Sequence, residues 1–229
     1  NLPLIEYVAK KNKPIIISTG MSTLSEINDA VEIVRFTGNK QLALLHCNSS
    51  YPSTHAEINL KFMKNLSSLY QVPVGFSDHT TDLLASKTAI SLGANIIERH
   101  FTLNKKMEGP DHILSSDKEE MTNLIKFKKN YRKFKIWFKN SSIKDKKTIK
   151  IILGDGVKKI QPNEYITINS QKKSLYAKTI IKKGEKFSNK NIIVKGPAGG
   201  LLPKYINVIL KRKSISNIEK DQPITWNDF

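Results

Sequence analysis

Four short apolar runs, each handing over at its carboxy end to polar residues, alternate with stretches of helical periodicity, and this rhythm constrains the fold more than any other feature. The runs are Ile15-Ile16-Ile17 before Ser18-Thr19-Gly20, Leu42-Ala43-Leu44-Leu45 before His46-Cys47-Asn48-Ser49, Val74-Gly75-Phe76 before Ser77-Asp78-His79, and Ile96-Ile97 before Glu98-Arg99-His100. Strands that alternate with helices over short connections predict a parallel sheet. The crossovers are right-handed in nearly every known case, so the four polar ends emerge along one edge. Parallel sheets and barrels collect their chemistry at that edge.

The intervening stretches carry helix signals. Thr23-Leu24-Ser25-Glu26 is a capping box, followed by Ile27, Ala30, Val31 and Val34 at amphipathic spacing and a stop at Gly38. Met63, Leu66, Leu69 and Tyr70 give the next helix its face, and Leu83, Leu84, Thr88, Ala89 and Leu92 the one before Gly93. Leu4, Ile5 and Val8 mark a helix ahead of the first run; Met121, Leu124 and Ile125 mark one after Ser116-Asp117-Lys118-Glu119. The isoleucine run at 15–17 is expected to be a strand buried on both faces.

Four such units are too few for a closed eight-stranded barrel of about 250 residues. The alternatives are an open, complete sheet or the second half of a barrel, and a start at Asn1-Leu2-Pro3 without methionine favours the second. From 139 to 172 the periodicity fades and a linker is expected. Beyond it, Ser174-Leu175-Tyr176-Ala177 and Ile192-Ile193-Val194 read as strands, with a turn over Ile180–Glu185 and the loop Gly196-Pro197-Ala198-Gly199-Gly200. The expected division is a partial (β/α) barrel over 1–138, a linker over 139–172 and a small β-rich domain over 173–229. That last piece has a thin core and is expected to lean on another domain or subunit.

The net charge of +18 is unevenly placed. Residues 1–112 carry 11 Lys+Arg against 10 Asp+Glu, and the remainder 27 against 10, while all five histidines lie in the first part. Such a charge attracts polyanions, but only four of the 38 basic residues are arginine, and specific nucleic-acid sites favour arginine forks. No nucleic-acid partner is expected. The lysine run Lys126 to Lys139 reads as the wet face of a helix. There is no apolar run of about eighteen residues, so no membrane partner is expected either. The single cysteine, Cys47, excludes an internal disulfide and agrees with a reducing, cytoplasmic setting.

Taken singly, a histidine at a strand end is more often a hydrogen-bonded structural residue than a ligand. His79 and His100, however, close two neighbouring strands and could share one metal ion. Ser18, Ser49 and Ser77 are each explicable as helix caps; together, on three successive strand ends, they form a ring of hydroxyls and amides suited to an anion. His46 is expected to be a packed neighbour, His112 a loop residue and His55 solvent-facing. Cys47 has no base placed beside it by motif and reads as a buried small residue.

The words Ser18-Thr19-Gly20-Met21, His46-Cys47 with Tyr51-Pro52, Gly75-Phe76-Ser77-Asp78-His79-Thr80, Ile97-Glu98-Arg99-His100-Phe101-Thr102 and Gly109-Pro110-Asp111-His112 resemble those of the sialic acid synthases and their pseudaminic and legionaminic relatives. Downstream, Ile180–Lys186 and the Gly-Pro loop resemble the antifreeze-like (SAF) domain of the same enzymes. The resemblance implies the second half of a TIM barrel, starting near the helix before the fifth strand, followed by that small domain.

It further implies condensation of phosphoenolpyruvate with an open-chain N-acetylated amino sugar, N-acetylmannosamine or a bacterial deoxy-diacetamido sugar, to a nine-carbon 2-keto sugar acid with release of phosphate. Carried over by motif, His79 and His100 are metal ligands; Ser18, Ser49 and Ser77 bind phosphoenolpyruvate; Tyr51 and Asp111 hold the amino sugar; and Glu98 assists the chemistry. The implied cofactor is Mn²⁺, with Mg²⁺ or Co²⁺ as alternatives. The implied assembly is a homodimer in which each small domain covers the partner's barrel. One departure stands out: the family's Arg-Pro-Gly loop reads Gly196-Pro197-Ala198 here. The competing readings are a metal-dependent barrel aldolase of another substrate class, an inactive fragment, and a basic binding module.

Overall fold

The computed structural model describes residues 1–130 and 133–229. Tyr131 and Arg132, inside the lysine-rich run, lie outside the described residues. A short helix α1 (Leu2–Ala9) leads into four βα units: β1 (Ile15–Ser18), α2 (Leu24–Phe36), β2 (Leu42–Cys47), α3 (Lys61–Tyr70), β3 (Val74–Asp78), α4 (Leu84–Ser91), β4 (Ile97–Arg99) and α5 (Lys118–Lys129). The strands pair in parallel in the order β1-β2-β3-β4, a half-barrel sheet in sequence order. Right-handed crossovers of short reach make sequential neighbours spatial neighbours.

The helices form where their caps say they should. Thr23 and Glu26 close a reciprocal capping box on α2, Asp117 and Glu120 one on α5, and Ile27, Ala30, Val31 and Val34 are all buried. On α3, Phe62 joins the buried face while Leu69 stays 56% exposed. The core between helices and sheet is built around Leu44, Leu66, Phe76 and Ala89. Gly75 allows the close strand contact: a Cβ there would strike the Ile96 carbonyl oxygen and lie 2.6 Å from Leu45 Cδ2.

One expectation is corrected. The run at 15–17 is not buried on both faces here: Ile15 and Ile17 pack on the helix-covered core, while Ile16 on the opposite face is 55% exposed. The stretch 139–172 is largely helical, with the end of α6 (Phe134–Asn140), α7 (Ile143–Leu153) and α8 (Glu164–Gln171). Ile149 and Ile152 of α7 are fully buried; lysines flanking these two contacts dilute the apolar period that would have revealed them. Asn59 latches the chain after α7: its amide donates to Asp155 Oδ1 (3.1 Å) and the Val157 carbonyl (2.9 Å), and its oxygen accepts from Gly156 N–H (2.7 Å).

The carboxy-terminal unit pairs β5 (Ser174–Ala177) antiparallel with β6 (Ile192–Lys195), followed by the short α9 (Ile206–Ile209). It has its own core, including Leu175, Ile181, Phe187, Ile218 and Ile224. Lys172–Glu26 (2.6 Å) and Lys204–Asp29 (3.0 Å) tie it to α2. A cleft of about 240 Å³ runs between the two parts, with Ser18, Ile27, Lys172 and Pro203 among its lining residues. Among the described residues no helix is long and apolar enough to cross a membrane.

Candidate active site

The site assembles at the carboxy ends of β1 to β4 because each strand changes from apolar to polar as it leaves the core. Register sets the neighbours: Cys47 is opposite Ser77, and Ser77 opposite Glu98. The Ser77 hydroxyl donates to Glu98 Oε1 at 2.7 Å, holding one carboxylate oxygen and leaving the other for a ligand or water. Glu98 lies on the exposed side of β4, whereas Ser77 and His79 are buried.

His79 and His100 meet. Their ring centroids are 5.3 Å apart and the rings stand nearly perpendicular at 86°. His79 Nδ1–H donates to the Asn48 carbonyl at 2.8 Å, which fixes the tautomer and leaves Nε2 with its lone pair. A backbone acceptor behind a ring nitrogen is how metal-binding histidines are usually oriented. His100 Nδ1 lies 3.7 Å from Asp111 Oδ2. Among the described residues no group of three or more His, Cys, Asp or Glu side chains is arranged to hold a metal, so these two rings would leave the remaining positions to oxygen from water or substrate.

Tyr51 stacks beside both, 4.3 Å from His79 and 5.8 Å from His100 between centroids. Partial burial pushes its phenol up, reinforced by the charges of Asp111 and Glu98 among lesser causes. Tyr51, His79, His100 and Asp111 therefore form one rim. The three serines converge elsewhere, around Cys47. Burial raises the Cys47 thiol, while hydrogen bonds from Ser18, Ser77 and Ser49 pull the other way. At 4% exposure the sulfur is a protonated, packed centre for three hydroxyls, in keeping with a small buried residue.

The other histidines have separate duties. His46 Nε2–H donates to the Ile58 carbonyl, and burial pushes the ring down to about 4. His112 Nδ1 pairs with the Thr102 hydroxyl at 2.8 Å. His55 is not simply solvated: Nε2 lies 3.1 Å from Asp82 Oδ2.

Three features escaped the sequence reading. Asn48 supplies the carbonyl that orients His79, a backbone role that no side-chain motif announces. Asp78 and Arg99, each immediately preceding a site histidine, form a buried ion pair with side chains 0% and 1% exposed; opposite charges at the same offset from two histidines were the available signal. Glu164, 1% exposed at the start of α8, accepts from Met21 N–H (2.8 Å) and Ser49 N–H (2.9 Å) through Oε1. It lies 115 residues from Ser49 in sequence, and nothing local marked it.

Comparison with known proteins agrees with this architecture. The model of the NeuB family matches residues 1–135 and that of the SAF domain residues 172–229. The N,N'-diacetyllegionaminic acid synthase of Campylobacter jejuni is 38% identical over 98% of this chain and 62% of its own length; the pseudaminic acid synthase of Helicobacter pylori is 33% identical over 100% and 62%. The crystal structure of spore coat polysaccharide biosynthesis protein SpsE from Bacillus subtilis superposes with a TM-score of 0.85 at 28% identity, covering 99% of this chain and 64% of that one. The chain thus spans less than two thirds of the length of these relatives. Strand order, the polar strand ends and the matched family models together establish that the chain belongs to the NeuB family and carries a SAF domain at its carboxy end.

Proposed function

We propose that this chain supplies part of the active site of a synthase that joins phosphoenolpyruvate to an N-acetylated amino sugar. The carbon–carbon bond forms between the phosphoenolpyruvate methylene and the sugar aldehyde carbon, water adds at the pyruvyl carbon, and phosphate leaves, giving a 2-keto sugar acid. The observation that carries the reading is the meeting of His79 and His100 at 5.3 Å, beside Tyr51 and Asp111 and two residues along their chains from the Ser77–Glu98 pair. Relatives of known name are legionaminic and pseudaminic acid synthases, which supports the same reaction class.

In this reading Tyr51 and Asp111 bind the sugar, and Ser18, Ser49 and Ser77 bind the anionic groups of phosphoenolpyruvate through hydroxyl or backbone donors, the Ser77 hydroxyl proton itself being given to Glu98. Glu98 takes a proton from the attacking water through its free oxygen while Ser77 holds the other. His79 and His100 would hold a divalent cation, Mn²⁺ being the best match to two imidazoles completed by oxygen ligands, with Mg²⁺ or Co²⁺ as alternatives. When bound, it would polarise the aldehyde oxygen. The enzyme would work in the cytoplasm as a homodimer, each SAF domain lying over the other subunit's site. Gly196, where the family has arginine, contributes no side chain to that contact; a Cβ there would come within 3.2 Å of Lys173 Nζ.

This chain by itself is expected to turn over little, so the test is made with it joined to the other half of its barrel: release of phosphate from phosphoenolpyruvate in the presence of Mn²⁺, with N-acetylmannosamine compared against the deoxy-diacetamido sugars. Sugar-dependent release is expected, and the His79→Ala/His100→Ala double variant should lose both turnover and Mn²⁺ binding followed by electron paramagnetic resonance. Mn²⁺ binding undiminished in that variant removes the metal assignment. Phosphate release with simple aldehydes but none of the amino sugars favours an aldolase of another substrate class.

A further inference from the structure

The deepest connection between the half-barrel and the segment entering the SAF domain is a single carboxylate. Glu164 is buried at 1% exposure. Its Oε1 accepts from the backbone N–H of Met21, just past β1, and of Ser49, just past β2, while Oε2 accepts from Gln161 N–H at 3.0 Å. An ionised carboxylate is purely an acceptor, and bonds from N–H groups to it are stronger than neutral ones. The two strand ends it joins are otherwise packed to their limit. A Cβ at Gly20 would collide with Ser49 Oγ and lie 3.3 Å from Ser49 Cβ, and Met21 adopts a left-handed φ of 52°, which a residue with a side chain holds only when its surroundings require it.

We infer that Glu164 is a positioning residue for the phosphoenolpyruvate subsite: by bridging the ends of β1 and β2 it holds Ser49 against Gly20 and brings the Ser18 and Ser49 hydroxyls to one place. The inference rests on the proposed synthase reading. It adds a role in the site to a segment that otherwise packs against the half-barrel and joins it to the SAF domain. Tyr51, Asp111 and the two histidines are not bonded to Glu164 itself; the Asn48–Ser49 peptide that donates to it also carries the carbonyl that orients His79, so the effect is largest for phosphoenolpyruvate and smaller at the histidine rim.

Two variants separate positioning from simple stability. Glu164→Gln keeps an oxygen in the place of Oε1 and so keeps the bonds from Met21 and Ser49; Glu164→Met has similar length and no acceptor of that strength. In the full chain with Mn²⁺, calorimetric titration should show phosphoenolpyruvate affinity about tenfold weaker in Glu164→Met, the scale of one lost buried hydrogen bond. Glu164→Gln should stay within about threefold of wild type, and amino-sugar affinity should fall less than phosphoenolpyruvate affinity in Glu164→Met. Amide hydrogen exchange at Met21 and Ser49 should quicken in Glu164→Met alone.

Equal phosphoenolpyruvate affinity in all three proteins overturns the positioning role, even if Glu164→Met melts earlier. Tighter binding in Glu164→Met overturns it too, because the carboxylate would then be competing with the substrate anion. A wild-type protein that binds no phosphoenolpyruvate while exchange still quickens in Glu164→Met defeats the synthase reading and this role with it, leaving the bridge as architecture.

Discussion

Replacing Arg99 with methionine tests how the two site histidines are held at their spacing. The guanidinium is wholly inside: besides its ion pair with Asp78 it donates from Nε to Ser116 Oγ (2.8 Å), from Nη1 to the Asp82 carbonyl (2.9 Å) and from Nη2 to the Thr80 carbonyl (2.8 Å). Methionine keeps much of the aliphatic stem and removes the charge. Asp78 would be left with Ser86 Oγ and the Thr80 N–H and hydroxyl but no cation, in a place with no solvent access. Breaking a buried pair in this way costs about 3–5 kcal/mol. At a slope of about 2 kcal/mol per molar urea, the midpoint should fall by about 2 M.

The two tryptophans give the assay its resolution. Trp137 packs against Phe127 and Phe134 beside the half-barrel, and Trp226 against Tyr205 and Phe229 in the SAF domain. In a Trp226→Phe background, fluorescence follows the half-barrel alone. Because the cost arises from a lone buried charge, Asp78→Asn added to Arg99→Met should restore part of the loss. A midpoint shift below about 0.5 M, or a double variant less stable than the single one by a further full increment, refutes the reasoning. Since His79 and His100 follow the paired residues directly in sequence, Mn²⁺ affinity should fall in Arg99→Met under conditions where the protein is still folded.

Acid should act through His46. Its folded value near 4 lies below the unfolded value of about 6.5, so the unfolded chain takes the proton first; stability falls as pH drops through 6.5, and the loss is complete below 4. Between pH 7.5 and pH 5 this single ring accounts for about 2 kcal/mol. The difference in urea midpoint between wild type and His46→Leu should change by that amount over the interval, and a constant difference defeats the assignment. Gly75→Ala should cost about 1–3 kcal/mol by overpacking, since its Cβ has no room between Leu45 and Ile96; a melting temperature within a degree of wild type contradicts the contact.

Much of this protein follows from local chemistry that is complete within a few residues. The capping box at Thr23 and Glu26, the apolar spacing of α2 and the apolar-to-polar change at each strand end all act over one or two turns of chain, so the order of strands and the edge bearing Ser18, Ser49, Ser77, Glu98, His79 and His100 were legible before any coordinates. Tertiary structure decided what depends on contacts between distant segments. The exposure of Ile16 comes from the uncovered face of β1, the burial of Ile149 and Ile152 from the surface they found beneath a lysine-rich helix, and the pairing of Asp78 with Arg99 from strand register. The bridge from Glu164 to Met21 and Ser49 is the extreme case, because a carboxylate meeting two backbone N–H groups more than a hundred residues away leaves no pattern in composition or spacing.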